Sequence, residues 1–354
     1  MIQTKKIPQS EFRTPPAPGE KLAFGKIFSN HMFLMRHTPA DSWHDIQIKK
    51  FENFSLSPAA FVFHYAQEIF EGLKAYRWAD GSIALFRPRD NFTRMNDSAE
   101  RLCMPRFDTE MVLGALKELI TLDKDWVPSD DGASLYIRPT MIAVDPFIGL
   151  RPAEEILFYI ITSPVQAYLS GVSSILVEDE YVRAVRGGVG AVKTGGSYAA
   201  SLYPSKLAAD KGYHQVLWLD GIERKYIEEV GSMNMFFVYE NCIATPCLNG
   251  SILPGITRDS VIKLAKSWGI EVVEGKLKVS DVMADVKSGA VTEVFGAGTA
   301  AVISPIGRLG YKGEDYTLGD GKSMGTLSQK FYDTLTGIQY GKIKDEFGWI
   351  EKVM

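Results

Sequence analysis

Residues 187–198 read GGVGAVKTGGSY, a stretch with five glycines in which Lys193 is the only charge. Glycine lets a backbone approach a bulky ligand closely because no Cβ stands in the way. Small apolar neighbours disfavour an ammonium ion, and the free amine is the form that attacks a carbonyl. The stretch therefore suits a lysine that carries a cofactor as a Schiff base. Taken alone it reads more naturally as an ordinary loop, so the rest of the chain has to decide.

At 354 residues the chain exceeds what one small core organises, and two domains are expected. A net charge of −4 argues against a nucleic-acid binder, which would carry a basic face. The longest apolar runs, such as 156–161, are strand-sized rather than membrane-spanning. The opening MIQTKKIPQSEF lacks the apolar segment of a secretory signal. Cys103, Cys242 and Cys247 are an odd number and suggest no disulfide framework. The expected compartment is the cytoplasm.

Working outward from Lys193, a helix is expected over about 198–211, ended by Gly212, and Pro204 inside it should kink or split it. Strands are expected at 174–178, 215–219, 235–240 and 292–295. Further helices are expected at 258–268 and from a Ser280 cap to Gly289. In the first half, 24–33, 83–86, 135–138 and 156–162 read as strands. Residues 90–102 and a helix capped by Asp108 carry apolar stripes. Strands and helices mix without a regular βαβ rhythm, so the expected class is α+β or mixed α/β. The expected division is a smaller N-terminal α/β domain over 1–165, an interdomain loop over 166–183, and a larger domain over 184–354 carrying the lysine.

Several motifs fail. Residues 296–301, GAGTAA, match a dinucleotide fingerprint but lead into VISPIG, a strand and turn, where a helix would be required. Those amides still suit an anion-binding nest, with Thr299 adding a hydroxyl; a plain tight turn fits equally. Val192 before the lysine excludes a P-loop. The five histidines are scattered and the cysteines lack a second pair, so no metal site is expected.

Pyridoxal-phosphate chemistry needs three parts: a Schiff-base lysine, an acid for the pyridine nitrogen and a phosphate cradle. Glu229 precedes an apolar strand, where a carboxylate is costly unless paired with a cation. On its own the pair Glu228-Glu229 reads more naturally as a solvated turn. VKTGGSYAASL (192–202), EEVGSMN (228–234) and FGAGTAAVISP (295–305) together resemble the fold-type-IV pyridoxal-phosphate aminotransferases, and specifically the branched-chain-amino-acid aminotransferases. HYAQEIFEGLKAYR, LFRPRDNFTRMNDSAERLCMP, DKDWVP and SLYIRP agree with that family in the same order, so the likeness runs from about Phe24 to Pro305.

The resemblance implies a two-domain fold of the D-amino-acid-aminotransferase-like type and a homodimer. It also implies the cofactor pyridoxal 5′-phosphate and transamination of leucine, isoleucine and valine with 2-oxoglutarate by a ping-pong mechanism. By the same resemblance Lys193 is the Schiff-base lysine and proton shuttle. Glu229 meets the pyridine nitrogen and Tyr198 the ring hydroxyl. Arg87, Ser232, Ile256, Thr257 and Thr299 serve the cofactor, with Arg87 on its phosphate. The Thr299-Ala300 amides and the Tyr65 hydroxyl are expected on the substrate carboxylate. Phe24, Phe70, Tyr65, Tyr136 and Tyr168 line an apolar pocket that takes branched side chains by area burial. Arg138 is the expected partner for the γ-carboxylate of glutamate. Plain core packing is the competing reading for each aromatic.

Two departures stand out. Where mammalian members carry a C-x-x-C pair this chain has Ala301 and Ser304, so thiol regulation is not expected. Pro204 lies outside the family pattern. A D-amino-acid aminotransferase or an aminodeoxychorismate lyase on the same fold is the alternative function, and a non-catalytic binder is a third.

Overall fold

The computed structural model describes residues 2–5, 7–166 and 171–354. The chain forms two compact units. The first comprises Met1–Tyr168, Val192–Gly195 and Gly337–Met354; the second comprises Leu169–Ala191 and Gly196–Thr336.

The first unit is built on a nine-stranded sheet. Its strands lie in the order Gln3–Thr4, Ser42–Lys50, His31–Thr38, Ile156–Val165, Ser134–Ala143, Leu73–Arg77, Ile83–Phe86 and Ile350–Lys352, with Glu68–Phe70 also on Ser134–Ala143. All neighbours are antiparallel except the first pair. Helices Pro88–Arg101 and Thr109–Leu122 pack their apolar stripes into one core with Phe33, Phe92, Leu116, Ile120 and Phe158. Asp108 caps the second helix, its carboxylate accepting from the Met111 amide at 2.9 Å.

Pro139 stands inside a central strand, where a missing N–H normally breaks the ladder. Residues 135–137 pair with Leu73–Arg77 and residues 140–142 with Glu68–Phe70. The proline therefore sits at the join between two partners, and its carbonyl still accepts from the Glu71 amide at 2.8 Å. Phe24–Phe33 is not a strand, because the strand begins at His31. Gly25 holds φ +67 within a turn and breaks the extended run.

The second unit holds another nine-stranded sheet. Ile227–Val230, Gln215–Leu219, Ser173–Glu178, Val302–Tyr311, Glu293–Gly298 and Met233–Val238 follow one another. Ile227–Val230 then pairs with Met233–Val238, so these six strands close into a barrel. Inward residues such as Ile175, Leu217, Met235, Phe237, Val294 and Leu309 fill its core. Cys242–Pro246, Glu271–Gly275 and Glu314–Thr317 extend the sheet, and helices Ile256–Ser267 and Val279–Ser288 belong to this unit.

The expected division of the chain needs correction at three places. The stretch 166–183 is not a loop throughout, since Ser173–Glu178 is an inner strand of the second sheet. The four residues around the lysine cluster with the first unit, and so does the C-terminal stretch from Gly337. Ser280 is not a cap either: the helix starts at Val279 with Lys278 at the N-cap, and Gly289 at φ +82 ends it. The expected 198–211 helix is split into Gly195–Ala199 and Leu202–Asp210. Pro204 falls in the first turn of the latter, where its missing N–H costs nothing. The 296–301 motif ends strand Glu293–Gly298 and turns at 299–301 into an antiparallel hairpin, with no helix after it. No helix is long and apolar enough to cross a membrane, and no metal-holding cluster occurs among the described residues.

Candidate active site

The sequence-predicted residues divide between the units, and within each unit the structure gathers several of them. In the first, Phe70 is the centre. Its amide donates to the Lys193 carbonyl at 2.9 Å, and the Thr194 hydroxyl donates to the Glu68 carbonyl at 2.7 Å, so the lysine segment runs beside strand Glu68–Phe70. Gly195 packs closely there: a Cβ would lie 1.7 Å from Glu68 Oε1, so the carboxylate would have to move aside. Lys193 Nζ lies 4.9 Å from the Phe70 ring centroid and the Arg138 guanidinium 4.7 Å from it. Arg138 also donates to the Tyr136 hydroxyl at 2.9 Å, and Phe24 meets Tyr136 edge-on at 4.8 Å. Gly72 makes room for that hydroxyl, 2.2 Å from where its Cβ would be.

This cluster joins an amine, apolar rings and a guanidinium. Arg138 Nε is buried without a hydrogen-bond partner among the described residues, the arrangement expected of a group that awaits an anion. Burial raises the Glu68 carboxyl from its ordinary value, and the charge of Arg138 opposes the shift.

Arg87 and Tyr65 are placed differently. Arg87 is the buried N-cap of helix Pro88–Arg101, at φ +51, with its Nε 2.6 Å from Asp90 Oδ2. Its amide donates to the Trp349 carbonyl at 2.7 Å, and its guanidinium lies 5.4 Å from the Trp349 ring centroid. Tyr65 is exposed and its hydroxyl donates to the Ile148 carbonyl. Tyr168 lies outside the described residues.

In the second unit Glu229 is buried on strand Ile227–Val230, which excludes the solvated-turn reading. Its Oε1 accepts from the Leu253 amide, and Arg183, its side chain 8% exposed, approaches its Oε2 at 3.3 Å. The cation and the amide offset the cost of desolvating the carboxylate. Glu229 registers with Asn234 and Asn234 with Ala297, which sets Glu229 in line with the strand leading to Thr299 and Ala300. Gly231 turns at φ +52 to bring Ser232 beside that line, and the Ser232 carbonyl lies 3.8 Å from where a Gly298 Cβ would be.

Asn234 donates to the Leu253 carbonyl at 3.0 Å and packs against Gly255, where a Cβ would come within 2.0 Å of its Oδ1. Gly255 is the N-cap of helix Ile256–Ser267, so the amides of Ile256 and Thr257 open a helix at this end of the sheet. A helix N-terminus favours an anion through its donors and its dipole. Tyr198 lies in the short helix Gly195–Ala199. Glu229, Ser232, Ile256, Thr257, Thr299 and Ala300 are thus brought to one end of one barrel.

Sequence reasoning missed Arg183 and Asn234. Asn234 was detectable as a lone amide in the apolar strand Met233–Val238, whereas Arg183 comes from irregular chain and left no periodic signal.

The family model for amino-transferase class IV matches residues 68–309. Branched-chain-amino-acid aminotransferase 2 of Bacillus subtilis is 49% identical over 99% of this chain and 97% of its own length. The chain belongs to the branched-chain-amino-acid aminotransferases of class IV. Among solved structures, the Escherichia coli branched-chain amino acid aminotransferase superposes with a TM-score of 0.73 at 28% identity, covering 87% of this chain and 97% of that one. The T.th. branched-chain amino acid aminotransferase, complexed with N-(5′-phosphopyridoxyl)-L-glutamate, superposes at 0.74 with 25% identity, covering 91% and 98%. The two-unit architecture is therefore the fold-type-IV aminotransferase fold, and the activity is branched-chain amino acid transamination.

The residues present fit pyridoxal phosphate. A buried carboxylate with its own cation suits a protonated pyridine nitrogen, and a twelve-residue helix opening on Gly255 suits a phosphate.

Proposed function

We propose that the enzyme transfers the amino group of leucine, isoleucine or valine to 2-oxoglutarate in two half-reactions, with pyridoxal 5′-phosphate as the carrier and Lys193 as the reacting lysine. The observation that carries this reading is the Phe70 cluster, in which a lysine amine, apolar rings and a guanidinium with an unpartnered buried Nε share one neighbourhood. Such a cluster serves both substrates, since the rings exclude water from a branched aliphatic chain and Arg138 with Tyr136 binds the distal carboxylate of glutamate.

When bound, the cofactor supplies a carbonyl that captures amines and a ring that accepts electrons from the substrate Cα. Lys193 would take the proton from that carbon as general base and return one at the cofactor C4′. Glu229, held by Arg183 and the Leu253 amide, keeps a proton on the pyridine nitrogen. Tyr198 orients the ring hydroxyl. In the second unit Thr299 and the Ile256 and Thr257 amides serve the phosphate, Ser232 serves the cofactor and the Thr299-Ala300 amides serve the substrate carboxylate; in the first unit Arg87 serves the phosphate and the Tyr65 hydroxyl the substrate carboxylate. Phe24 completes the apolar wall. We place the working enzyme in the cytoplasm as a homodimer, and sedimentation equilibrium tests the assembly.

The test is transamination with L-leucine and 2-oxoglutarate. Glutamate should form, initial-rate plots should give parallel lines, and Lys193→Ala should abolish turnover. Activity that survives in Lys193→Ala removes the central assignment. D-alanine and aminodeoxychorismate as substrates distinguish the two other reactions of this fold.

A further inference from the structure

In the second unit, strand Ile227–Val230 and the ends of Cys242–Pro246 and Glu271–Gly275 border a cleft of about 260 Å³. Pro246 registers with Gly275, whose carbonyl accepts from the Cys247 amide at 3.0 Å. The turn before the first of these strands is pinned by Asp220. Its carboxylate accepts from the amides of Ile222, Glu223, Lys225 and Tyr226 at 2.7–3.3 Å. That side of the cleft is therefore built before any ligand enters.

Glu228 lines the cleft although it is only 4% exposed. Its Oε1 accepts from Asn249 Nδ2 at 3.2 Å and from the Ser251 hydroxyl. Among the described residues no donor meets its Oε2 and no cation meets either oxygen. A carboxylate so far removed from water is costly without a cation. Two cations stand at the rim. Arg186 passes Gly250, its Cγ 3.9 Å from where a Cβ would be, and Lys276 Nζ lies 5.1 Å from the Tyr226 ring centroid. Both are exposed, both line the cleft, and neither forms an ion pair among the described residues. Ile222, Ile227, Pro246 and Ile252 add apolar wall.

Charges of both signs thus border one cleft without neutralising each other. A molecule that answers them carries an ammonium group for Glu228, a carboxylate for the rim and an aliphatic chain for the wall. Sites for drug-sized ligands run from roughly 300 to 1,000 Å³, so this smaller one suits a free amino acid. We propose that the cleft is a second binding site, taking a free aliphatic α-amino acid, and that its occupancy is felt at Glu229. Ser251 is the link. Its hydroxyl donates to Glu228, and its carbonyl accepts at 2.7 Å from Arg183 Nη2, which lies 3.3 Å from Glu229 Oε2. Further along, the Leu253 amide donates to Glu229, and the chain runs on to Gly255, the N-cap of helix Ile256–Ser267. An amino acid that fixes Glu228 restrains this run where it leaves the cleft. The site itself is independent of the reaction; its reach to the cofactor rests on Glu229 serving the pyridine nitrogen.

The probe is L-leucine, titrated calorimetrically into protein saturated with N-(5′-phosphopyridoxyl)-L-leucine, which fills the cofactor and substrate positions together. Failure of that adduct to bind would overturn the cofactor reading alone, and the titration is then made on the free protein. One saturable site per chain is expected. Glu228→Gln and the double variant Arg186→Ala/Lys276→Ala should each weaken it roughly tenfold or more. The double variant changes only exposed side chains, so it decides the matter should Glu228→Gln fail to fold. No saturable heat, or heat unchanged in the folded variants, overturns the site. Displacement of the adduct by excess pyridoxal phosphate should slow roughly fivefold or more at saturating L-leucine. A displacement rate indifferent to L-leucine overturns the link to Glu229.

Discussion

Lys74 shows how a single side chain can set a pH window. It is buried on strand Leu73–Arg77, and desolvation brings its amine down from 10.5 to about 8. The unfolded chain then binds more protons than the folded one between pH 8 and 10.5, so stability rises with pH across that window. The penalty is present in full below pH 8, is relieved above 10.5, and is worth on the order of 3 kcal/mol. Lys74→Met should flatten the rise, and urea titrations at pH 7 and pH 10 check it; an unchanged slope refutes the assignment. At this scale residue type alone marked Lys193, Glu229 and Arg138 as candidates, and the structure buries Glu229 and gathers Lys193 and Arg138 at the Phe70 ring. It was silent where a partner arrives from irregular chain, because Arg183 beside Glu229 carries no spacing that links the two.

Among elements, the glycine-rich run before the lysine is fixed by close approach rather than by positive dihedrals alone. A Cβ on Gly190 would lie 2.1 Å from the Ser251 carbonyl oxygen and 2.5 Å from Ala184 Cβ. Backbone cannot yield as a flexible side chain does, so Gly190→Ala must displace the run, at roughly 1–3 kcal/mol. Ser251 also binds Glu228 and receives Arg183, so the displacement reaches the neighbourhood of Glu229. Pyridoxal-phosphate retention in Gly190→Ala should weaken roughly tenfold or more, measured by fluorescence titration; wild-type retention would show the run tolerates the shift. Element identity was legible from periodicity and caps, as in the Asp108-capped helix. Boundaries were lost where tertiary pairing overrides a local signal, as where Pro139 is carried through a strand by a change of partner.

For the whole molecule, the division at residue 184 failed because sequence order conceals which sheet a late segment joins. Strand Ile350–Lys352 pairs antiparallel with Ile83–Phe86, so the last residues finish the first sheet. Trp349 meets Phe86 edge-on at 5.6 Å and backs Arg87 through ring and carbonyl. Trp349→Ala should destabilise the protein by roughly 3 kcal/mol and weaken cofactor retention in parallel. Calorimetry and fluorescence titration check both, and a loss of stability with retention intact would separate Arg87 from its backing.

The pairing of residues 83–86 with 350–352 also has a meaning in time. A chain emerging from the ribosome presents Arg87 early, but its backing strand arrives some 260 residues later. The first sheet cannot close this edge until residues 350–352 have emerged, and pairing over so long a separation is slow. Arg87 therefore acquires its native surroundings only once residues 349–352 have been made, and a nascent chain stalled before Trp349 would leave the guanidinium without the ring and carbonyl that back it.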